Sequence, residues 1–381
     1  MKAEWEVKML GEVCYKASSN VSQNQLNDEV GIYPIFGASG KIKDVSFYHH
    51  DKPYLSIVKD GSGVGRLTKM QAFTSVIGTL QYILPKEDID LNYLYYSLIS
   101  VDFKKYVAGA AIPHIYFKDY QNEPFLWRPI QEQQRIVAIL DEAFEQIAIA
   151  RANTEKNLQN ARALFESHLQ IIFTPSAGER IEGRCEGWEF KSLKELTTIL
   201  GDGLHGTPKY SEDGDYHFIN GNNLNDGLIE FKDSTKKVSL DEFIKHKKNL
   251  TDRTILVSIN GTLGNVAFYN GEKVILGKSA CYFNLKDGVE KSYIRHVFSS
   301  PYFLEYAHRE ATGATIKNVS LKTMREFNVP LPSLKVQQKI VIKLDLLRTQ
   351  TQRLESLYQR KLSALDELKK SLLHKAFAGE L

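Results

Sequence analysis

The sequence predicts a mixed α/β protein of the α+β class, in which two similar globular domains are separated by two long helices. We expect these helices to form an antiparallel coiled coil and to give the molecule pseudo-twofold symmetry. The first reason is an internal repeat: the segment 133–137, QQRIV, returns 204 residues later as 337–341, QQKIV. Repetition at one fixed spacing indicates a duplicated architecture. The second reason is that a hydrophobic stripe of helical spacing follows each copy.

Both stripes step by three or four residues through segments that contain no Gly or Pro. The first stripe consists of Ile136, Leu140, Ala143, Ile147, Ala150, Thr154, Leu158, Ala161, Leu164 and His168. The second consists of Ile340, Leu344, Leu347, Thr351, Leu354, Tyr358, Leu362, Leu365, Leu368 and Leu372. About five heptads of this pattern favour a coiled coil, about 60 Å long at 1.5 Å per residue. The alternative is a long helix that lies on a globular domain.

The repeat is longer than the helices, because residues 5–13 resemble residues 188–196, 183 positions further along. The second globular domain therefore carries about 21 extra residues, which we expect in surface loops, where insertions cost little. The predicted segments are a first globular domain at 1–130, a first long helix at 131–173, a linker at 174–187, a second globular domain at 188–333 and a second long helix at 334–381. Pro and Gly residues mark the linker.

Each globular domain has the pattern of α/β structure. Residues 54–58 and 81–84 are predicted strands of the first domain, and residues 91–106 are a predicted helix rich in aromatic residues. In the second domain, 254–259 is the matching strand and 291–309 the matching helix.

Bulk composition narrows the class of protein. The chain has 381 residues and a net charge of +3, which permits nucleic-acid binding through local patches without indicating it. The three cysteines, Cys14, Cys185 and Cys281, are scattered and predict reduced thiols instead of disulfides or a zinc site. The N-terminus is too polar for a signal peptide, and no apolar run approaches the length of a membrane span. We therefore expect a cytoplasmic protein with no membrane partner.

Three glycine-rich loops are candidates for contact with phosphate groups. Residues 59–66 (KDGSGVGR) and 260–265 (NGTLGN) follow equivalent predicted strands, and 277–279 (GKS) resembles the end of a phosphate-binding loop. The first lacks the third glycine of a dinucleotide-binding fingerprint, and the last lacks the required glycine spacing. Glycine lets the backbone approach a ligand closely, and flanking basic side chains can meet phosphates. Simple tight turns are the alternative interpretation.

The predicted arrangement, a rod with a similar domain at each end, suits a long ligand that is itself nearly twofold symmetric. Double-stranded DNA is such a ligand. We expect its phosphates to be bound by Lys59, Arg66, Lys69, Lys278 and Lys317. We expect its base edges to be read by His114, Asn220, Asn222, Asn260 and Thr262. Asn pairs with adenine edges, although Asn-Gly and Asn-Asp sequences also build ordinary turns.

No catalytic or metal-ligating residue is predicted. The sequence lacks a Gly-x-Ser-x-Gly elbow, an H-E-x-x-H motif and an adenine-methylation motif. The run His49-His50-Asp51 reads as a solvent-facing loop, since no further ligand keeps the spacing of a metal site. These absences lower the expectation of an enzyme. The competing interpretation is a coiled-coil scaffold whose two end domains bind proteins.

Several segments together resemble the specificity (S) subunit of type I restriction–modification enzymes over the full length of the chain. They are the repeated QQ motifs, the closing segment 374–381 (HKAFAGEL), residues 33–40 (YPIFGASG), residues 205–210 (HGTPKY) and residues 313–318 (GATIKN). The order of domain, helix, domain and helix also agrees. Residues 109–114 (GAAIPH) correspond to 313–318 but lack the Thr and the Lys, which weakens any DNA-contact role carried over to that segment.

The resemblance implies a function for each part. Each globular domain would be a target recognition domain that reads one half of a bipartite DNA sequence. The coiled coil would set the spacing and dock two modification subunits, which bind S-adenosylmethionine and methylate adenine. Restriction subunits would join them to translocate and cleave DNA. ATP and Mg are expected in these partner subunits, and the S subunit itself would hold no cofactor and catalyse nothing.

Overall fold

The computed structural model describes residues 6–109, 111–174 and 188–381. The chain divides into two compact units: unit 1 is Met1–Glu155 with Arg360–Leu381, and unit 2 is Lys156–Gln359. Each unit contains one globular part and a piece of both long helices, so the division falls inside the predicted helices and not at their ends. Trp5, Cys185 and the predicted linker from residue 175 to 187 lie outside the described residues.

The globular part of unit 1 is built mainly from short strands. Its strands are β1 Glu6–Met9, β2 Cys14–Ser18, β3 Tyr33–Gly37, β4 Gly40–Val45, β5 Tyr54–Val58, β6 Leu67–Met70, β7 Ser75–Val76, β8 Leu80–Pro85 and β9 Pro124–Trp127. Its helices are α1 Leu10–Val13, α2 Leu91–Ile99 and α3 Phe117–Tyr120, followed by the long helix α4 Ile130–Phe173. The predicted helix 91–106 is therefore shorter than expected, because α2 ends at Ile99 and a separate 3-10 turn covers Phe103–Tyr106.

The globular part of unit 2 repeats this plan with additions. Its strands are β10 Glu189–Ser192, β11 Thr197–Gly201, β12 Tyr216–Ile219, β13 Leu224–Asn225, β14 Leu228–Ile229, β15 Lys237–Val238, β16 Thr254–Ser258, β17 Val266–Phe268, β18 Val274–Leu276, β19 Ala280–Leu285 and β20 Asn328–Leu331. Its helices are α5 Leu193–Leu196, α6 Leu240–His246, α7 Lys291–Phe298, α8 Pro301–Glu310 and α9 Leu321–Glu326, followed by the long helix α10 Leu334–Ala378. The predicted helix 291–309 is divided in two, because Pro301 begins a new helix behind the N-cap Ser300.

Sheet topology shows the duplication directly. Unit 1 has a four-stranded antiparallel sheet in the order β2-β8-β5-β6, and unit 2 has β11-β19-β16-β17. The three-stranded sheets β4-β3-β7 and β15-β12-β18 also match, each with one antiparallel and one parallel pair. The expectation of two similar globular parts with mixed α/β structure is confirmed.

Most of the extra residues of unit 2 lie between β12 and β16. Equivalent residues are 183 positions apart at β3 and β12 but 200 positions apart at β5 and β16. The β13–β14 hairpin and helix α6 occupy this insertion, and the described residues of unit 1 form no counterpart of either.

The long helices run antiparallel within each unit. In unit 1, Lys369 Nζ lies 5.0 Å from the ring centroid of Phe144, and Arg151 Nη1 lies 2.5 Å from Asp366 Oδ1. Residue numbers rise along α4 as they fall along α10, which defines the antiparallel direction. In unit 2 the same holds for Arg162 with Glu355, 3.2 Å apart, and for the Arg348 guanidinium 5.6 Å from the Phe165 ring. The predicted antiparallel pairing is therefore confirmed within each unit.

The buried stripe differs from the predicted one towards the end of each helix. Leu164 is 41% exposed and His168 is exposed, whereas Phe165 and Leu169 pack into the core of unit 2. In α10, Leu368 is 47% exposed, and its neighbour Lys369 covers Phe144 instead. An α-helix turns every 3.6 residues, so a strict heptad stripe drifts off the contact face. These three stripe assignments were wrong.

The repeated glutamines explain why the QQ motif recurs. Gln133 is fully buried; its Oε1 accepts from the Asp90 N–H at 2.8 Å, and its Nε2 donates to the carbonyls of Asp88 and Arg128 at 2.9 and 2.7 Å. Gln337 makes the matching bonds in unit 2, accepting from the Glu290 N–H at 2.9 Å. Each side chain ties the start of a long helix to the loop before α2 or α7.

Candidate nucleic-acid interface

In unit 1, the first glycine loop is docked on a segment far away in sequence. The Gly61 N–H donates to the Pro113 carbonyl at 2.8 Å, and the Ile115 N–H donates to the Lys59 carbonyl at 2.9 Å. Asp60 and His114 form an isolated antiparallel bridge between these bonds. The structure thus brings together Lys59 and His114, two of the predicted DNA-binding residues.

Unit 2 contains the same arrangement at the equivalent place. The Gly261 N–H donates to the Lys317 carbonyl at 3.0 Å, and the Val319 N–H donates to the Ile259 carbonyl at 2.8 Å. Asn260 and Asn318 form the bridge that corresponds to Asp60 and His114. The structure therefore places the predicted residues Asn260 and Lys317 side by side.

Glycine is required at the turn in both loops. Gly61 has φ +91° and Gly261 has φ +76°, both in the region that side chains disfavour. A Cβ at either position would meet no atom within 4 Å, so the requirement comes from backbone conformation and not from crowding. The two loops are therefore conserved in shape within this one chain, while the residues before the glycine differ.

The loops of unit 2 line a cleft of about 430 Å³. Its lining residues are Asp202, His205, Ile259, Asn260, Lys278, Asn318, Val319, Ser320 and Leu321. Asn260 Nδ2 donates to Asn318 Oδ1 at 3.1 Å, and this bond does not use Asn260 Oδ1 or the Asn318 amide nitrogen. The pair thus presents an acceptor beside a donor at the cleft. His205 Nε2 lies 2.7 Å from Asp202 Oδ2 at the same cleft.

Asn318 and His205 were missed as site residues from the sequence. Both lie in segments whose family resemblance was visible, 313–318 and 205–210. The predicted residue Lys278 is exposed in the cleft, and its N–H donates to the Leu204 carbonyl at 3.0 Å. The third glycine-rich loop is therefore part of the same surface as the second.

The corresponding surface of unit 1 carries different chemical groups. Lys59 Nζ lies 3.5 Å from Asp60 Oδ2, and His114 packs its ring 4.9 Å from Tyr116 in an edge-on contact. An acid and an imidazole thus stand where unit 2 has two amides. Similar backbone geometry with different side chains can read different base edges.

Arg66 and Lys69 lie on opposite faces of the β6 region. Arg66 donates to the Ala38 carbonyl and lines a cavity of about 220 Å³, whereas Lys69 Nζ lies 3.0 Å from Asn92 Oδ1 and 4.9 Å from the Tyr95 ring. In unit 2, Phe268 stands at the position of Lys69, and Arg295 stands at the position of Tyr95. The Arg295 guanidinium lies over the Phe268 ring, so the cation and the ring have exchanged positions between the two units. This exchange indicates that Lys69 packs on α2, and the geometry does not bring it to the glycine loop.

Of the remaining predicted residues, one supports a neighbouring loop and two are exposed to solvent. Asn220 Oδ1 accepts from Ser279 Oγ at 2.9 Å, which holds the loop carrying Lys278. Asn222 is exposed, and its carbonyl accepts from Lys232 Nζ at 2.8 Å, as expected for a turn. Thr262 is exposed at the tip of its loop.

The described ranges contain no cluster of three or more His, Cys, Asp or Glu residues arranged to hold a metal ion. Burial raises the pKa of the Cys14 thiol to about 12 and also raises the pKa of Cys281, so both described thiols stay protonated. Across the part of the chain that is described, no helix is both long and apolar enough to cross a membrane.

Comparison with known proteins agrees with this duplicated architecture. The family model described as the type I restriction modification DNA specificity domain matches residues 2–160 and 185–361. The EcoBI specificity subunit of Escherichia coli is 25% identical over 293 residues, covering 72% of this chain and 62% of that protein. The StySPI specificity subunit of Salmonella potsdam is 23% identical over 214 residues, covering 51% and 44%. The matches thus span 62% and 44% of the length of these two relatives, less than two thirds in each case.

A third relative and two solved structures match over nearly their whole length. The MjaVIII specificity subunit of Methanocaldococcus jannaschii is 21% identical, covering 99% of this chain and 93% of that protein. A chain from a study of complex assembly and conformational transition in a type I R-M system superposes with a TM-score of 0.76 at 18% identity, covering 100% of both chains. The HsdS subunit of Thermoanaerobacter tengcongensis gives 0.62 at 16% identity, covering 99% and 97%. With two family matches that cover most of its length, this chain belongs to the type I restriction–modification specificity family.

Proposed function

We propose that this chain is the sequence-specific, double-stranded DNA recognition subunit of a type I restriction–modification complex. Each globular part reads one half of a bipartite target. The observation that carries this proposal is the duplicated docking of a glycine loop on a distant segment, which places Lys59 beside His114 in unit 1 and Asn260 beside Lys317 in unit 2.

The two units are proposed to read different half-sites. In unit 2, an amide acceptor beside an amide donor complements the N6 amino group and N7 of adenine. In unit 1, the Asp60 carboxylate can accept from the amino group of cytosine, and the neighbouring His114 adds a further polar contact. The difference between these pairs is what a non-palindromic target requires.

Basic residues around each loop are proposed to bind phosphates. Lys59, Arg66, Lys278 and Lys317 belong to the loops or line the adjoining cavities. Phosphate neutralisation releases counterions, so binding by the assembled complex weakens steeply as salt rises. Lys69 contributes to this surface only by holding α2, according to its contacts.

The helix pairs are proposed to set the distance between half-sites and to dock two modification subunits. S-adenosylmethionine, ATP and Mg then belong to the modification and restriction subunits, and this chain supplies no catalytic group. The proposal includes a cytoplasmic location, where the host DNA is. The QQ motif begins both long helices and makes matching hydrogen bonds there. This match supports equivalent docking sites for the modification subunits in the two units.

The test is to map adenine methylation in the host genome with and without the gene for this chain. A bipartite motif that loses methylation in the deletion strain supports the proposal, and re-expression restores it. Binding of the assembled complex to duplexes with that motif, compared with shuffled duplexes, then measures specificity. A complex that shows no preference for any DNA sequence while its globular parts capture proteins would support the scaffold interpretation instead.

A further inference from the structure

A network of charged side chains in unit 2 joins the inserted hairpin to two helices. Asp226 Oδ1 lies 2.5 Å from Arg348 Nη2 of α10 and 3.8 Å from Arg295 Nη1 of α7. Arg295 Nη2 lies 2.5 Å from Asp345 Oδ1, which also lies 2.9 Å from His296 Nε2. The network therefore runs from the hairpin through α7 to two successive turns of the long helix.

The hairpin that supplies Asp226 is also fixed to the sheet. Asp226 and Gly227 form the turn between β13 and β14, with φ values of +47° and +86°. The Gly227 N–H donates to the Val266 carbonyl at 2.9 Å, and the Phe268 N–H donates to the Gly227 carbonyl at 2.9 Å. Backbone bonds thus hold one side of the turn on β17, while the Asp226 carboxylate reaches the helices.

Unit 1 has no such network at the equivalent positions. Phe144 stands where unit 2 has Arg348, and Tyr96 stands where unit 2 has His296. The Tyr96 hydroxyl donates to Asp141, the counterpart of Asp345. We call this network, together with the hairpin that supplies Asp226, the brace. Because the β13–β14 hairpin lies in the insertion, the brace is an addition to the duplicated fold and not a requirement of it.

Burial makes the network sensitive to loss of one charge. The Arg295 and Arg348 side chains are 15% and 24% exposed, and His296 is fully buried. Burial and the neighbouring Arg295 lower the pKa of His296 to about 4, so the ring is neutral and leaves Asp345 to pair with Arg295. A charge removed from a partly desolvated network leaves its partner unpaired, which costs more than breaking an exposed ion pair.

We propose that Asp226 is a positioning residue that locks the recognition surface of unit 2 onto its own segments of the long helices, and so narrows the half-site spacing that the complex accepts. This inference rests on the proposed function. The gap that a complex tolerates depends on how rigidly each reading surface is fixed to the helices that measure the gap. Unit 1, without the brace, has the hydrogen bond from the Tyr96 hydroxyl to Asp141 at these equivalent positions.

The experiment compares Asp226→Asn with the natural chain, each assembled with the modification subunits. Asn tolerates positive φ, so the turn is retained while the charge is lost. Affinity is measured for duplexes that carry both half-sites with the preferred gap and with the gap shortened or lengthened by one base pair. We expect the preference for the correct gap to fall by roughly fivefold, which corresponds to about 1 kcal/mol. Asp233→Asn, an exposed residue of the same insertion outside the network, is the matched control and keeps the natural preference.

A merely structural role for Asp226 predicts a different outcome. The melting temperature would fall while the ratio between correct and altered gaps stayed at the natural value, and that result overturns the inference. Arg348→Gln removes the charge on the helix side of the network and should lower the preference for the correct gap in the same way. This second variant keeps the inference testable if the Asp226 variant folds poorly. In both variants, a single-base change within either half-site is expected to lower the affinity for DNA by the same factor as in the natural complex. If the natural complex shows no preference for any DNA target, the proposed function is wrong. If the variant complexes still bind the target specifically and keep the natural gap preference, only the proposed role of the brace is wrong.

Discussion

Replacement of Gln133 by Ala is expected to destabilise unit 1 far more than replacement of its neighbour. The side chain is fully buried and makes three hydrogen bonds to the backbone of Asp88, Asp90 and Arg128. Its removal leaves one N–H and two carbonyls without that partner, each at a cost of about 1–3 kcal/mol, and partial hydration brings the expected total to about 3–4 kcal/mol. Gln134, which is exposed, provides the matched control, and its replacement by Ala should stay within about 0.5 kcal/mol.

Thermal unfolding of the purified variants measures this difference. For a unit of this size, 1 kcal/mol shifts the melting temperature by about 2–4 °C, so the loss of about 3–4 kcal/mol should lower the Gln133→Ala transition by about 6–16 °C. Gln337→Ala and Gln338→Ala repeat the comparison in unit 2, where Gln337 makes the equivalent bonds and Gln338 is exposed. Equal melting temperatures for the two members of either pair would refute the account of the repeated motif as a structural clamp.

Three further outcomes follow from the contacts. Lys317→Ala should weaken binding evenly across DNA sequences and lower the slope of log affinity against log salt by about 1, measured by titration of the complex at several salt concentrations; an unchanged slope would remove Lys317 from the phosphate contacts. Lys69→Ala should lower the melting temperature by loss of its contacts with α2 and leave that slope unchanged, which a fall in slope would contradict. His296 has a pKa of about 4 when folded and about 6.5 when unfolded, so its contribution to the free energy of unfolding, up to about 3 kcal/mol, is present above pH 6.5 and is lost as the pH falls towards 4. His296→Gln should therefore flatten the plot of unfolding free energy against pH over that window, and an equally steep plot would contradict the assignment.

Much of the fold could be predicted because it is recorded as local pattern. The repeat and its stripes indicated two long helices, and the antiparallel contacts within each unit agree. The stripe failed near Leu164 and Leu368, since spacing alone does not show how far a real helix drifts from a strict heptad. Pro301 is a local signal for the division of 291–309 into two helices, and the prediction of one continuous helix did not use it.

The candidate site was harder to predict because its partners are distant in sequence. Glycine spacing identified the loops, but the docking of residue 60 on 114 and of 260 on 318 is a tertiary pairing without a local signal. Charge alone could not separate Arg66, at a cavity mouth, from Lys69, which lies against aromatic rings. The brace was also hidden, because an Asp-Gly turn in an insertion has the sequence of any hairpin.

The central claim is that each unit reads its own half of a split target. It is tested most directly by mapping genomic adenine methylation in cells that carry the natural chain, Asn260→Ala or His114→Ala. A lost base contact should cost about 1–3 kcal/mol of discrimination at its position. The account predicts that Asn260→Ala relaxes base preference only in one half of the methylated motif and His114→Ala only in the other. Relaxation of the same half by both variants, or an unchanged motif in both, would contradict it.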